Sequence, residues 1–292
     1  MKSFEAYNPI VLTAYFLSVT LVLMFCQNPI FLLLSFLGAL LYVLIRNQGE
    51  NGKLHLHYFL LFLLFAILNP LFSHNGKTVL FVINDTLITL EAVVYGLVSA
   101  GCVITVLYWF YSFTKIMTRD KLLYVFGKLS PKLSLVLSMG LRYVPLFADK
   151  TMRIKNAQKA LGLYKEDNIL DKCRGDLRVF SILLTWALET GIITSDSMRA
   201  RGYGKGKRTH FSIYKFHSCD YTLLLLVAVM LVFTLLGIGI GNIGFVFYPG
   251  MAWEDVNIFG ILSYIFYGAL AGLPTLIETG DRMKWKYLIS KI

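Results

Sequence analysis

Six long apolar runs restrict the fold of this chain more than any other feature of its sequence. They fall at about 9–26, 29–45, 56–72, 88–112, 221–241 and 257–277. Most of them approach the ~20 residues that a helix needs to cross ~30 Å of hydrocarbon. Only 15% of the residues are charged, against roughly 25% in a soluble domain. The sequence therefore predicts an all-α integral membrane protein with about six transmembrane helices, and it excludes a disordered chain.

The positive charge of the chain is concentrated in one central block. Between Lys115 and Lys215 there are 20 Lys or Arg and 8 Asp or Glu, a net charge of +12, whereas the whole chain carries +11. A basic block beside membrane spans is expected on the cytoplasmic side. The loop at 242–256 has two acidic residues and no Lys or Arg. We therefore expect both termini in the cytoplasm and the loops at 73–87 and 242–256 outside.

The basic block is predicted to form a helical platform rather than a separate globular domain. The run at 131–148 is apolar but carries Arg142, and a seventh span there would put basic residues on both sides of the membrane. A helix lying in the interface, with Arg142 reaching to the surface, fits better. A further helix at 145–162 and a polar loop at 163–176 are predicted to follow. The resulting division is transmembrane helices at 1–113, a cytoplasmic coupling platform at 114–217, and transmembrane helices with a basic tail at 218–292.

A second long helix of the platform is predicted to end at an arginine. Apolar or small residues recur at the three-to-four spacing of one helix face. These residues are Leu177, Phe180, Leu184, Leu188, Ile192, Ser195 and Met198. Gly202 can adopt the left-handed conformation that closes a helix, which leaves Arg199 and Arg201 in the last turn, at the negative end of the helix dipole. This tip suits docking into a groove of another protein, and the alternative is a solvated basic helix end beside a membrane.

Several motifs that would signal catalysis or cofactor binding are incomplete. The run at 202–208 lacks the spacing of a phosphate-binding loop, because Arg201 and Arg208 replace the required Gly and Ser or Thr. The Gly-x-Gly-x-x-Gly pattern at 239–244 ends a membrane span instead of joining a strand to a helix. His55 and His57 have no matching cluster of further metal ligands. The sequence therefore predicts no catalytic, cofactor or metal site, and no ATP hydrolysis by this chain.

Several short motifs stand in a characteristic order along the chain. The clearest is Ser197-Met-Arg-Ala-Arg-Gly-Tyr-Gly, preceded by Thr185-Trp-Ala-Leu-Glu. The others are Asn69-Pro-Leu-Phe-Ser-His, Thr89-Leu-Glu-Ala, Met117-Thr-Arg-Asp-Lys, Ser138-Met-Gly-Leu-Arg-Tyr-Val-Pro, Ala157-Gln and Lys284-Trp-Lys. In this order they resemble the transmembrane T component of energy-coupling factor (ECF) transporters, the EcfT/CbiQ family. The resemblance covers nearly the whole chain.

The resemblance implies a non-catalytic subunit in the plasma membrane of a prokaryote. Such a subunit joins two cytoplasmic ATPases to a membrane S component that captures a vitamin or metal. The family signature is Ala-Arg-Gly at the end of each of two coupling helices. Carried onto this chain, the second motif is Ala200, Arg201 and Gly202, and the first is Ala160, Leu161 and Gly162. Because leucine replaces the arginine of the first motif, we expect an apolar helix-in-groove contact there.

A second class of function remains open at this stage. In that class the chain is a membrane enzyme, against which the lack of a catalytic constellation counts, or a membrane-anchored protein whose basic block binds anionic lipid or nucleic acid directly. The family resemblance implies contact with the bilayer, with two ATPase subunits and with an S component, and no nucleic acid. Recovery of two ATPase subunits with the chain separates the two hypotheses. The transported substrate is not encoded in these motifs, since the S component would select it.

Overall fold

The computed structural model describes residues 4–47, 52–72, 76–83, 86–164, 168–203, 214–241, 243–248, 250–253 and 256–290. A 3₁₀ helix at Phe4–Ala6 precedes the α-helices. These are α1 (Pro9–Phe25), α2 (Pro29–Asn47), α3 (Gly52–Phe72), α4 (Leu90–Ile116), α5 (Arg119–Leu129), α6 (Pro131–Ala160), α7 (Ile169–Ala200), α8 (Ser218–Ile240) and α9 (Ile258–Ile289). Two small antiparallel sheets pair β1 (Val79–Ile83) with β2 (Thr86–Thr89), and β3 (Phe245–Val246) with β4 (Ala252–Trp253).

Six described helices are long and apolar enough to cross a membrane, namely α2, α3, α4, α7, α8 and α9. The predicted all-α membrane class is confirmed. The predicted spans included α1, an apolar helix of 17 residues, and assigned α7 to the platform, whereas α7 meets this requirement by its length and composition alone. The difference arises because α7 has an apolar middle between charged ends, whereas α1 is short and deeply packed. Val11, Leu12 and Val19 of α1 are buried, and the helix packs against α2, α4 and α8.

The chain divides into two compact units, and the first comprises Met1–Lys121 and Tyr214–Ile292. Small residues bring its helices together, as is common in membrane bundles. A Cβ atom on Gly38 of α2 would lie 2.7 Å from the backbone oxygen of Ala271 in α9. One buried polar contact also joins two helices, since the Trp109 indole donates a hydrogen bond to Ser35 Oγ over 2.8 Å. Gly268 of α9 likewise lies against Leu34 of α2, whereas an added Cβ atom on Gly272 would meet nothing within 4 Å.

The N-terminal segment is fastened to one end of this unit by two buried side chains. Lys121 Nζ donates hydrogen bonds to the backbone oxygens of Glu5 and Ile116, over 2.7 and 3.1 Å. The Asp220 carboxylate accepts hydrogen bonds from the backbone nitrogens of Asn8 and His217, over 3.1 and 2.8 Å. Desolvation lowers the pKa of the Lys121 ammonium. Lys121 thereby occupies the carbonyl end of α4, where a cation is favoured.

The second unit, Leu122–Ile213, is built on a hairpin of α6 and α7. Three contacts fix its antiparallel direction: Tyr143 Oη to Thr194 Oγ1 at 3.2 Å, the rings of Phe147 and Trp186 at 5.9 Å, and Lys155 Nζ to Asp176 Oδ1 at 3.8 Å. As the residue number rises along α6, it falls along α7. The two helices therefore end at opposite ends of the hairpin.

The structure corrects two boundaries predicted within the platform and shows the secondary structure of the basic tail. The interfacial helix and the first coupling helix are one continuous helix, α6, which includes Pro145. Proline removes a single backbone hydrogen bond, and this 30-residue helix continues through it. The predicted loop at 163–176 was too long, since α7 begins at Ile169 and its polar first turns pair among themselves, as Arg174 does with Asp171. The basic tail is a continuation of α9 to Ile289.

Hairpin strands in the loop at 73–87 were not anticipated. The Glu91 carboxylate, in the first turn of α4, joins this hairpin to the helix. It accepts a hydrogen bond from Thr78 Oγ1 over 2.8 Å and another from the Lys77 backbone nitrogen over 3.3 Å. A carboxylate is also stabilised there by the positive end of the helix dipole. Glu91 therefore has a structural role in this unit.

Candidate functional site

The first predicted motif forms the turn that ends α6. Leu161 is the C-cap, with φ −80° and ψ −2°, and Gly162 follows with φ +69°. The backbone nitrogen of Gly162 donates to the Lys159 oxygen over 3.0 Å, and that of Leu163 donates to the Gln158 oxygen, also over 3.0 Å. These two hydrogen bonds define a Schellman motif, which satisfies the last carbonyl groups of the helix. We call Ala160–Leu163 the first cap.

The second predicted motif forms the same turn at the end of α7. Arg201 is the C-cap, with φ −78° and ψ 3°, and Gly202 has φ +75°. The backbone nitrogen of Gly202 donates to the Arg199 oxygen over 2.9 Å, and that of Tyr203 donates to the Met198 oxygen over 3.0 Å. We call Ala200–Tyr203 the second cap. Each hydrogen bond of the first cap has its counterpart in the second, so that Leu161 and Arg201 occupy equivalent positions.

The glycine of each cap is required by its backbone conformation. Both Gly162 and Gly202 have positive φ, which costs other L-residues roughly 1–2 kcal/mol. A Cβ atom at either position would meet no other atom within 4 Å. The requirement for glycine is therefore a matter of backbone strain alone, and it is the same in both caps.

The six predicted residues are exposed in both caps. Leu161 is 70% exposed, and so its side chain contributes little to packing within the unit. Ala160, Gly162, Ala200, Arg201 and Gly202 are exposed as well. Arg201 forms no ion pair with the residues that the structure describes. One cap therefore presents an apolar side chain to its surroundings, and the other presents a cation.

The chain beyond the first cap is anchored by Tyr164, which sequence reasoning did not single out. Its side chain is only 6% exposed. The ring lies against Gly175 of α7, where an added Cβ atom would be 2.6 Å from Tyr164 Cδ2. The Tyr164 hydroxyl donates to Asp176 Oδ1 over 2.7 Å. The ammonium groups of Lys155 and Lys159 lie 4.6 and 5.5 Å from the ring centroid, which adds cation–π attraction.

The position after the second cap has a different environment. Tyr203 is 52% exposed, although its backbone nitrogen completes the cap.

At the first cap, Arg178 of α7 also donates to the Leu163 backbone oxygen over 3.1 Å. A glycine inside α7, at position 175, was the sequence signal that another group approaches closely there. Residues 204–208, the rest of the run compared above with a phosphate-binding loop, lie outside the described residues.

The distance between the caps follows from the antiparallel hairpin. At about 1.5 Å per residue, Ala160 lies ~20 Å beyond Phe147, and Ala200 lies ~21 Å beyond Trp186. Phe147 and Trp186 are in contact, and the two displacements point in opposite directions. The caps are therefore roughly 40 Å apart. A single narrow groove cannot hold both.

The other residues weighed in the sequence have protein partners. His55 Nδ1 lies 2.8 Å from Tyr108 Oη, and His57 Nδ1 lies 2.7 Å from the Lys53 backbone oxygen. Among the described residues, no three His, Cys, Asp or Glu side chains converge as metal ligands would. Gly241 of the Gly-x-Gly-x-x-Gly pattern caps the helix α8, with no strand before it. These positions are accounted for by packing and capping.

Comparison with known proteins relates the chain to membrane transport components. Residues 5–211, which include both caps, match the family described as "Cobalt transport protein" (CbiQ). The energy-coupling factor transporter transmembrane protein EcfT of Lactococcus lactis is 27% identical over 237 residues, which cover 71% of this chain and 85% of that protein. The EcfT of Thermotoga maritima is 27% identical over 220 residues, covering 72% of this chain and 80% of that protein.

Similarity to some relatives is confined to a shorter region. The EcfT of Lactobacillus helveticus is 32% identical over 108 residues, which cover 35% of this chain. The match spans 39% of the length of that relative, so the activity, substrate and partners of the whole transporter are proposals for this chain. The family itself is shown by the match over residues 5–211. With its membrane helices and its two capped helices, the chain belongs to the CbiQ (EcfT) family, the T components of energy-coupling factor transporters.

Proposed function

We propose that this chain couples two cytoplasmic ATPases to a membrane S component in an ECF-type importer of a vitamin or metal. The observation that carries the proposal is the pair of equivalent caps, exposed and roughly 40 Å apart at opposite ends of one hairpin. Two separate caps match two separate ATPase subunits. Each cap would enter a groove of one ATPase, in the manner of a helix bound in a groove. The S component would select the substrate.

The six cap residues form the contact in this proposal. Arg201 donates charge-assisted hydrogen bonds to a carboxylate or to carbonyl groups in one groove, as the planar guanidinium group can do. Leu161 fills an apolar pocket in the other groove. Ala160, Gly162, Ala200 and Gly202 keep the turn narrow enough to enter. The positive φ of both glycines, and the open space around them, support this assignment.

The hairpin would transmit ATP-driven motion as a connected body. Contacts run along it, from the Tyr143–Thr194 hydrogen bond to the hydrogen bond between Tyr164 and Asp176. A displacement of one cap is thereby passed to the other helix instead of being absorbed in a loop. Rigid-body movement of packed helices is a common form of such coupling. We assign this role to residues 114–217 and the membrane-spanning role to 1–113 and 218–292.

Copurification tests the proposal. The tagged full-length chain is coexpressed with the ATPase and S-component subunits of its source organism and extracted in mild detergent. Native mass spectrometry should find two ATPase subunits and one S component per chain, with ATP hydrolysis only in fractions that contain the ATPases. The matched control is the Leu161→Ala/Arg201→Ala variant, which should lose the ATPases and retain its fold, since both side chains are exposed. A wild-type chain recovered without ATPases would contradict the proposal and favour the lipid-binding or nucleic-acid-binding alternative.

The orientation in the membrane is part of the same proposal. We place both termini and the hairpin in the cytoplasm. Cys173 is exposed on α7, and Met251 is exposed between β3 and β4. In intact cells, an impermeant thiol reagent should label Met251→Cys in a cysteine-free background, and should not label a variant that keeps only Cys173. Labelling of Cys173 from outside would overturn the orientation.

A further inference from the structure

The chain passes between its two units twice. The first crossing follows Lys121, the last residue of the first unit before the hairpin unit begins at Leu122. The second crossing precedes Tyr214, where the chain returns to the first unit. Movement of the hairpin can reach the membrane helices along these two connections. The residues of the first unit that hold them are therefore candidates for a role in coupling.

The first crossing is held by the side chain of Lys121. Only 7% of this residue is exposed. Its Nζ atom donates hydrogen bonds to the backbone oxygen of Ile116, at the end of α4, over 3.1 Å and to that of Glu5 over 2.7 Å. A buried ammonium group is stable only where oxygen atoms of the protein replace its hydration. Lys121 therefore remains buried only while the N-terminal segment, Phe4–Asn8, supplies one of these oxygens.

The second crossing is held by Asp220 in a similar way. This residue lies in the first turn of α8 and is 2% exposed. Its Oδ2 atom accepts a hydrogen bond from the His217 backbone nitrogen over 2.8 Å, and Oδ1 accepts one from the Asn8 backbone nitrogen over 3.1 Å. One carboxylate oxygen thus caps the helix by which the chain returns, and the other binds the N-terminal segment.

The N-terminal segment is itself packed against the membrane helices. The Phe4 side chain is fully buried and meets the rings of Tyr15 and Tyr42 edge-on, at centroid distances of 5.5 and 6.1 Å. The Glu5 carboxylate forms an ion pair of 2.9 Å with Arg46 at the end of α2. The segment therefore contacts α1 and α2 as well as both crossings.

We propose that Lys121 and Asp220 are positioning residues that join the two crossings to each other through the N-terminal segment. Only two residues separate Glu5 from Asn8, the two points of attachment, so a displacement of one is passed to the other. The crossings then move together with α4, which packs against α2 and α3, and with α8, which packs against α9. The inference rests on the proposed coupling function, in which movement of the hairpin reaches these helices without unwinding their ends.

Hydrogen exchange of the full-length chain without partners tests whether the crossings are joined. Lys121→Met should accelerate exchange at 217–221, at the other crossing, and Asp220→Asn should accelerate exchange at 113–117. We expect changes of about 2- to 30-fold, the range found for coupling between positions in one network. Arg119→Met and Asp120→Asn are the matched controls, because they remove exposed charges from α5 at the first crossing, and they should leave exchange at 217–221 unchanged.

A third variant separates the join from the two side chains. Two glycines are inserted after Ala6, which is exposed and lies between the two attachments. Both attachments can still form, but the chain between them is longer and more flexible. In this background Lys121→Met should no longer change exchange at 217–221. An effect that survives the insertion, or an effect of Lys121→Met confined to its own crossing in the chain without the insertion, would overturn the inference.

The consequence for coupling is measured in vesicles that contain the complex with the ATPase and S-component subunits. Substrate uptake per ATP hydrolysed should fall about 2- to 30-fold in Lys121→Met, in Asp220→Asn and in the insertion variant. Assembly with the ATPases should stay at the wild-type level, because no cap residue is changed. An unchanged ratio would refute the positioning role, and so would loss of assembly, which would show that the two residues only maintain the fold. A wild-type chain that recruits no ATPases would contradict the proposed function instead, and the exchange measurements would still decide whether the crossings are joined.

Discussion

At the end of α6, the chain continues into Tyr164, which is buried against Gly175 and hydrogen-bonded to Asp176. At the end of α7, the chain continues into Tyr203, whose side chain is about half exposed. The backbone turns that precede these two tyrosines have the same dihedral angles and the same hydrogen bonds. The chain after α6 is thus held against α7, whereas the end of α7 presents the Arg201 cation.

The difference separates two properties that a single motif would otherwise combine. The glycine and the preceding helix determine the shape of each cap, and they are the same in both. The residue before the glycine determines the chemistry of each tip, and it is Leu161 in one and Arg201 in the other. The residues after the glycine determine how firmly each tip is held. Equal shape with unequal chemistry predicts two contacts of unequal strength.

The largest effect is expected from removing the arginine. If Arg201 is paired and buried in a partner groove, Arg201→Ala should weaken ATPase binding by on the order of 2–5 kcal/mol, because the partner group is left buried without its counter-charge. Leu161→Ala should cost roughly 1.5–3 kcal/mol if the leucine is fully buried. Binding of the ATPases and substrate uptake are measured for both variants in the same membranes. An Arg201→Ala variant that assembles and transports like wild type would rule out the proposed role.

The anchoring of the first cap is tested at Gly175. Gly175→Ala should overpack the site against Tyr164 and destabilise it by about 1–3 kcal/mol. Hydrogen exchange of the amides of residues 162–164 should accelerate, and exchange at 201–203 should change little. Gly191→Ala is the matched control in the same helix, because an added Cβ atom there meets nothing within 4 Å. Unchanged exchange at 162–164 in Gly175→Ala would show that Tyr164 does not hold the first cap.

The equal shape of the caps is tested by a pair of glycine substitutions. Gly162→Ala and Gly202→Ala should each destabilise the local turn by about 1–2 kcal/mol, since both residues have positive φ and open surroundings. Local stability is measured by hydrogen exchange in the unbound chain. Because the structural cost is the same, any further loss of ATPase binding reports on docking. Clearly different local costs would contradict the equivalence of the caps.

The smallest effect on ATPase binding is expected from raising the ionic strength. Raising the ionic strength from about 0.1 M to about 1 M shortens the screening length from ~10 Å to ~3 Å. A partly solvated contact of Arg201 should weaken, whereas the contact of Leu161 should not. The measurement is the salt dependence of ATPase binding in the Leu161→Ala and Arg201→Ala variants. A steeper dependence in Arg201→Ala than in Leu161→Ala would contradict the assignment of charge to the second cap.

Local features of the structure could be predicted from the sequence, because they depend on residues close together in the chain. The apolar runs predicted membrane helices, since each run is long enough for the backbone to satisfy its own hydrogen bonds in hydrocarbon. Gly202 predicted the end of α7, because a left-handed residue after a helix requires little more than its own flexibility. The same reasoning applies to Gly162 at the end of α6.

The remaining features were decided by packing between segments distant in sequence. Nothing near Tyr164 indicates that it lies against Gly175, because that contact exists only when α6 and α7 pack antiparallel. The open space between α2 and α3 likewise depends on both helices packing against α4 and not closing on each other. The sequence alone therefore determined which residue types stand along each helix and at each helix end. Tertiary structure decided that Tyr164 lies against α7 and where apolar surface stays open, since these depend on which helix faces meet.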